Sequence, residues 1–176
     1  MIKENEFNKE ALTEIAKKMA IAARTAPKSR GIDNIEIAIA DDEDINKIIA
    51  KMDEISIKEN QDFFARDAKN LKDSAALLLL GVKINPVNLP YCGICGMKNC
   101  ETKNKKPGIP CAFNTIDLGI AIGSAASVAM DNRVDNRVMY TVGIAARDLE
   151  LMSNEIAIVC GIPLSAKGKN IYFDRK

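Results

Sequence analysis

Residues 115–130 read Thr-Ile-Asp-Leu-Gly-Ile-Ala-Ile-Gly-Ser-Ala-Ala-Ser-Val-Ala-Met, a stretch almost wholly apolar or small. Gly119, Gly123, Ser124, Ala125, Ala126 and Ser127 would let neighbouring backbones approach closely, so the segment predicts a central buried helix with Asn114 or Thr115 as its cap. Upstream, 76–84 is a continuous apolar run with little alternation, which suits a strand buried on both faces and ended by Pro86 and Pro90. Between Asn8 and Arg24, the apolar residues Leu12, Ile15, Ala16, Met19, Ala20 and Ala23 recur at three- and four-residue steps. This pattern predicts an amphipathic helix that Pro27 stops. Lys28-Ser29-Arg30-Gly31 then turns into 35–40, where Ile35, Ile37 and Ile39 alternate as in a strand. Carboxylates at 41–44 precede a helix with Ile45, Ile48, Ile49, Met52 and Ile55 on its buried side, and a further helix is expected over 61–73. Downstream, 138–145 reads as a strand, 146–152 as a short helix and 155–162 as a last strand, before Lys167-Gly168-Lys169 turns into a charged tail. The order lacks the regular βαβ beat of a doubly wound sheet, so the expectation is one α+β sandwich domain over 1–176.

The chain has 176 residues, 47% of them hydrophobic, which is enough for one core. Lysine and arginine number 25 against 24 acidic residues, and a net charge of +1 exerts no general pull on nucleic acid or an anionic membrane. The polar first ten residues lack the apolar core of an export signal, and the strongest apolar run, 75–82, is too short to span a bilayer. A soluble cytoplasmic protein is therefore expected, with no nucleic-acid and no membrane partner. Histidine is absent, which excludes Cys-His nucleophilic catalysis and mixed Cys/His zinc sites.

In a reducing compartment, cysteines packed closely in sequence point to metal or redox chemistry rather than a disulfide frame. Cys92, Cys95, Cys100 and Cys111 form a C-x2-C-x4-C-x10-C pattern within an excursion between the central strand and the central helix. Two residues between Cys92 and Cys95 let both sulfurs turn to one side of a tight loop. Gly93 and Gly96 permit positive φ and let N–H groups face sulfur. The spacing favours an iron-sulfur cluster; a closed four-thiolate zinc site and bare thiols are the alternatives. Cys160, flanked by apolar residues, reads as core.

These residues carry a resemblance. The 91–112 module resembles the four-cysteine 4Fe-4S domain of electron-transfer subunits. The whole chain is similar to uncharacterised ferredoxin-domain-containing proteins, through Ala23-Arg24-Thr25-Ala26-Pro27-Lys28, Arg30-Gly31-Ile32-Asp33, the cysteines, Asp135-Asn136-Arg137 and 163–170. The order of elements also resembles flavin-dependent nitroreductases, which implies a nitroreductase-like α/β sandwich, a homodimer, and FMN at the subunit interface. The basic and hydroxyl positions that would hold its phosphate here are Arg24, Lys28, Ser29 and Arg30, while the Arg-Arg-Ser segment usual near the start of that family has no counterpart. The bland reading of the three cations is a solvated helix end favoured by the helix dipole. Lys98, Lys103, Lys105 and Lys106 read as a basic loop, either merely solvated or suited to an acidic redox partner. Asp117 is expected to charge the start of the central helix, and Asp131, Asp135 and Arg137 to belong to a turn.

Overall fold

The computed structural model describes residues 1–173; the end of the expected charged tail lies outside them. Helix α1 spans Glu4–Thr25 and buries Leu12, Ala16, Met19 and Ala23 at the predicted spacing. Proline at 27 ends it, and a 3-10 turn over Ser29–Gly31 leads into strand β1, Ile35–Ala40. Asp41 caps α2 (Asp42–Glu59) by accepting the Asp44 N–H at 2.9 Å, and Asn60 closes it in the left-handed conformation at φ 52°. Helix α3 covers Asp62–Lys72, and β2 follows over Ala76–Lys83.

Strand β2 lies inside a four-stranded antiparallel sheet of order β1-β2-β4-β3, where β3 is Asp135–Asn136 and β4 is Ile156–Ser165. Alternate β2 side chains enter different cores. Leu78, Leu80 and Val82 pack with α1 and with helix α5, Ala112–Asp131, while Leu77 and Leu79 pack with Ile48, Phe64, Leu71 and Val142 on the other face. That two-sided burial is why the run shows no alternation. The result is a three-layer sandwich, α1 and α5 on one side of the sheet and α2, α3 and α6 (Tyr140–Asp148) on the other.

Helix α6, Tyr140–Asp148, overturns the strand expected over 138–145 and absorbs the first residues of the short helix expected after it. Thr141, Val142, Gly143, Ala145 and Ala146 are its buried residues, a helical face that the apparent alternation of Val138, Tyr140 and Val142 masked. Gly143 lets α6 lie on the sheet, since a Cβ there would fall 1.8 Å from the Val159 carbonyl oxygen. Only Met139 retains a strand-like bridge, to Gly161.

The cap expected for α5 also differs. Cys111 occupies the N-cap position, and Asn114 is buried inside the first turn. Nor is α5 enclosed on all sides. Leu118, Ala121, Ala125 and Ala129 are buried, whereas Ile116, Ile120 and Met130 are exposed, and a Cβ at Gly119 or Gly123 would meet nothing within 4 Å. By length and composition α5 is the one helix among the described residues that could cross a membrane; here it packs beside α1 on the sheet.

Candidate four-cysteine site

The chain leaves β2 at Lys83 and rejoins the sandwich at α5, so the cysteine segment hangs between two rigid elements. Asn114 ties its ends together. Its Oδ1 accepts the Asn85 N–H at 2.9 Å, and its Nδ2 donates to the Asn85 carbonyl at 3.0 Å. Asn85 Nδ2 in turn donates to Asn34 Oδ1 at 2.9 Å, fastening the exit of β2 to the start of β1.

Within the segment, the Gly96 N–H donates to the Gly93 carbonyl at 2.9 Å and makes a tight turn around Cys95. Gly96 takes φ +81°, the conformation expected of it, whereas Gly93 does not have positive φ. Helix α4 spans only Cys100–Asn104 and begins because Asn99 Oδ1 accepts both the N–H and the hydroxyl of Thr102. Cys111 then starts α5.

All four predicted cysteines line one cleft, together with Pro86, Asn99, Lys103, Ala112 and Phe113. The cleft has about 290 Å³ of atom-free space, part of it open to solvent. The cleft is nearly filled, with room for no more than about one water molecule. Cys92, Cys95 and Cys100 are half-buried and Cys111 is buried, all as free thiols. Among the described residues, no three metal-ligating side chains are gathered tightly enough for a single ion. The donor set, entirely thiol and free of histidine, fits a soft-metal cluster.

Lys103 corrects the sequence reading. It was expected in a solvated basic loop with Lys98, Lys105 and Lys106, which are indeed exposed, yet Lys103 is only 2% exposed and lines the cysteine cleft. The available signal was its place three residues after Cys100, on the same side of a short helix. Asn114 was also read only as a cap, and its clamp on Asn85 is a contact between segments that no local pattern announces.

Cys160 stands apart. It is half-buried on β4 beside Tyr140, and burial pushes its thiol pKa upward, away from thiolate reactivity.

The four residues considered for a flavin phosphate sit together at the end of α1, each engaged within the chain. Arg24 donates to Asp33 at 2.7 Å and to the Ile35 carbonyl at 2.8 Å. Lys28 donates to the carbonyls of Ala23 and Arg24, and Arg30 to the Val87 carbonyl at 3.3 Å. Ser29 donates its N–H and hydroxyl to Asp117 Oδ1 at 2.9 and 2.8 Å. Asp117 is thus a buried acceptor tying the loop after α1 to α5, a more specific role than a charge at a helix end. Burial acts to raise the Asp33 pKa, but the Arg24 guanidinium and the Ile35 N–H outweigh it and hold the carboxyl below its usual value. Asp135 belongs to β3 and accepts from Asn170 at 2.9 Å, and the Arg137 guanidinium lies 5.5 Å from the centre of the Phe173 ring.

Comparison with known proteins identifies the lineage. Residues 107–175 match the family model described as "Uncharacterized protein containing a ferredoxin domain" (DUF2148). An uncharacterized protein of Archaeoglobus fulgidus is 42% identical over 182 residues, covering 99% of this chain and 97% of that protein. The chain belongs to this ferredoxin-domain family. Cys111, α5, α6 and β4 fall within the segment that matches the family, and the other three cleft cysteines precede it.

The architecture of the chain is nitroreductase-like. A BluB-like flavoprotein from Clostridium difficile 630 superposes with TM-score 0.59 at 21% identity, over 93% of this chain and 84% of that one. A nitroreductase family protein from Clostridium novyi NT gives TM-score 0.60 at 13% identity, over 90% and 77%. The NADPH:FMN oxidoreductase from Vibrio harveyi, complexed with NAD+, gives 0.58 at 14%, over 89% and 60%. At these identities the likeness is one of fold.

Proposed function

We propose that this protein is a redox protein that holds a 4Fe-4S cluster on Cys92, Cys95, Cys100 and Cys111 and passes single electrons through it. The observation that carries this reading is the convergence of four cysteines, from a turn, a short helix and a helix start, on one cleft that contains no histidine and no carboxylate. A zinc ion on the same four thiolates, with Zn–S bonds of about 2.3 Å, is the structural alternative. When bound, such a cluster supplies a one-electron couple tuned by hydrogen bonds, charge and exposure. Residues 91–112 then act as a redox module within the 1–176 domain. A reducing, cytoplasmic setting would keep the thiols available.

The likeness of fold to flavoproteins favours a second reading, an FMN-dependent nitroreductase-like oxidoreductase. Arg24, Lys28, Ser29 and Arg30 are its candidate phosphate ligands, and each would have to exchange an internal bond for the phosphate. A cluster in the cysteine cleft has a cost of its own, since the cleft must widen to admit it.

A homodimer is part of the same proposal. The uncovered face of α5, with Ile116, Ile120 and Met130 around Gly119 and Gly123, suits a second copy of the chain, because the glycines let another backbone come close. Exposed Lys98, Lys105 and Lys106 beside the cysteines would suit an acidic electron-transfer partner. Protein-film voltammetry on anaerobically prepared protein tests the redox reading. A reversible one-electron wave is expected. A metal-loaded protein without any wave would instead make the site structural.

A further inference from the structure

Lys103 is only 2% exposed and lies in the wall of the cysteine cleft. Its backbone N–H bonds to Asn99, as α4 requires. Its ammonium makes no hydrogen bond or ion pair with any described residue. The nearest carboxylate in sequence, Glu101, is directed to solvent and pairs with Lys105 at 3.3 Å. A lysine almost wholly withdrawn from water and without a carboxylate is costly, and natural chains retain one where something anionic compensates it. Apart from Asn99, whose side chain is already accepting from Thr102, the polar groups facing this cleft are the sulfurs of the four cysteines.

We infer that Lys103 is the built-in counter-charge of the four-thiolate site, a positioning residue that holds an anionic cluster in place and raises its reduction potential. The inference rests on the cluster reading above. A cluster on four thiolates is anionic and gains one further negative charge when it takes up an electron. A fixed cation in the wall therefore stabilises the reduced level more than the oxidised one. The electron enters from a donor or, in the assay, an electrode; no bond to Lys103 forms or breaks. At an effective interior dielectric of about 20, a unit charge anywhere within about 12 Å alters the reduced-to-oxidised ratio by more than tenfold. For a one-electron couple a tenfold change is about 59 mV.

The test compares wild type with Lys103→Met, Lys103→Gln and Lys103→Arg, each reconstituted anaerobically with iron and sulfide and poised in a film voltammeter, with iron and sulfide counted per chain. The two neutral variants should show the ratio shifted at least tenfold toward the oxidised level, and Lys103→Arg should restore the wild-type value. If the neutral variants fail to retain a cluster while Lys103→Arg retains one, the charge is again what holds the site. Loaded neutral variants with an unmoved potential would overturn the inference and leave the cluster reading standing, as would equal cluster loss in all three variants, which marks a packing role. A wild-type protein that takes up no iron and sulfide would fail the cluster reading itself and, with it, the role given to Lys103.

Discussion

Replacing Asn114 by alanine should loosen the cysteine segment more than it harms the sandwich. Asn114 is 1% exposed, and its two bonds to the Asn85 backbone are the clamp that closes the excursion between β2 and α5. Each such bond is worth about 1 kcal/mol net, and the shortened side chain leaves a small void, so a loss of about 2–3 kcal/mol is expected. For a chain of this size each kcal/mol moves Tm by about 2–4 °C, which places the drop at about 4–12 °C. Differential scanning calorimetry measures it directly, and limited proteolysis locates it: cleavage should accelerate within 85–114 before other segments. Asn114→Asp would set a buried carboxylate against the Asn85 carbonyl, so at pH 7 it should melt no higher than the alanine variant. An alanine variant melting within a degree of wild type, with unchanged cleavage, would refute the clamp.

Gly143→Ala should destabilise by about 1–3 kcal/mol or more, because its Cβ would collide with the Val159 carbonyl, whereas Gly168→Ala in open space should stay within about 0.5 kcal/mol; equal urea midpoints would contradict the packing of α6 on β4. Ile120→Glu should convert a dimer to a monomer in sedimentation velocity at micromolar concentration, and a monomeric wild type would remove the dimer. Asp33, with its pKa lowered in the fold, contributes stability that is present above the unfolded carboxylate value of about 3.9 and is lost as pH falls through the folded value. The gap in urea stability between wild type and Asp33→Asn should therefore narrow on going from pH 7 to pH 3, and a constant gap would show that Asp33 acts by shape rather than charge.

Much of the sandwich was legible because its helices are amphipathic and its central strand is buried on both faces, patterns that local periodicity records. Strand β1 emerges from sequence with the bounds the structure has, and α2 follows from the carboxylates at 41–44. Helix α6 was misread because β-branched and aromatic residues at 138–142 imitate a strand, while the decisive contact, Gly143 against β4, joins residues distant in sequence. That the four cysteines line one cleft was legible from their spacing, since residues on a short excursion stay close in space. Lys103 was not, because a lysine in a basic run looks solvated until α4 turns it inward beside Cys100. The same limit applied to Arg24, Lys28, Ser29 and Arg30: proximity at the end of α1 could be anticipated, but not their internal partners Asp33, Asp117 and the Val87 carbonyl.

Quantifying iron, acid-labile sulfide and zinc in protein purified without oxygen tests the central claim most directly. A 4Fe-4S site predicts brown protein with about four irons and four sulfides per chain and no zinc, and loss of both iron and sulfide when Cys92, Cys95, Cys100 and Cys111 are changed to serine. One zinc per chain with no labile sulfide would contradict it.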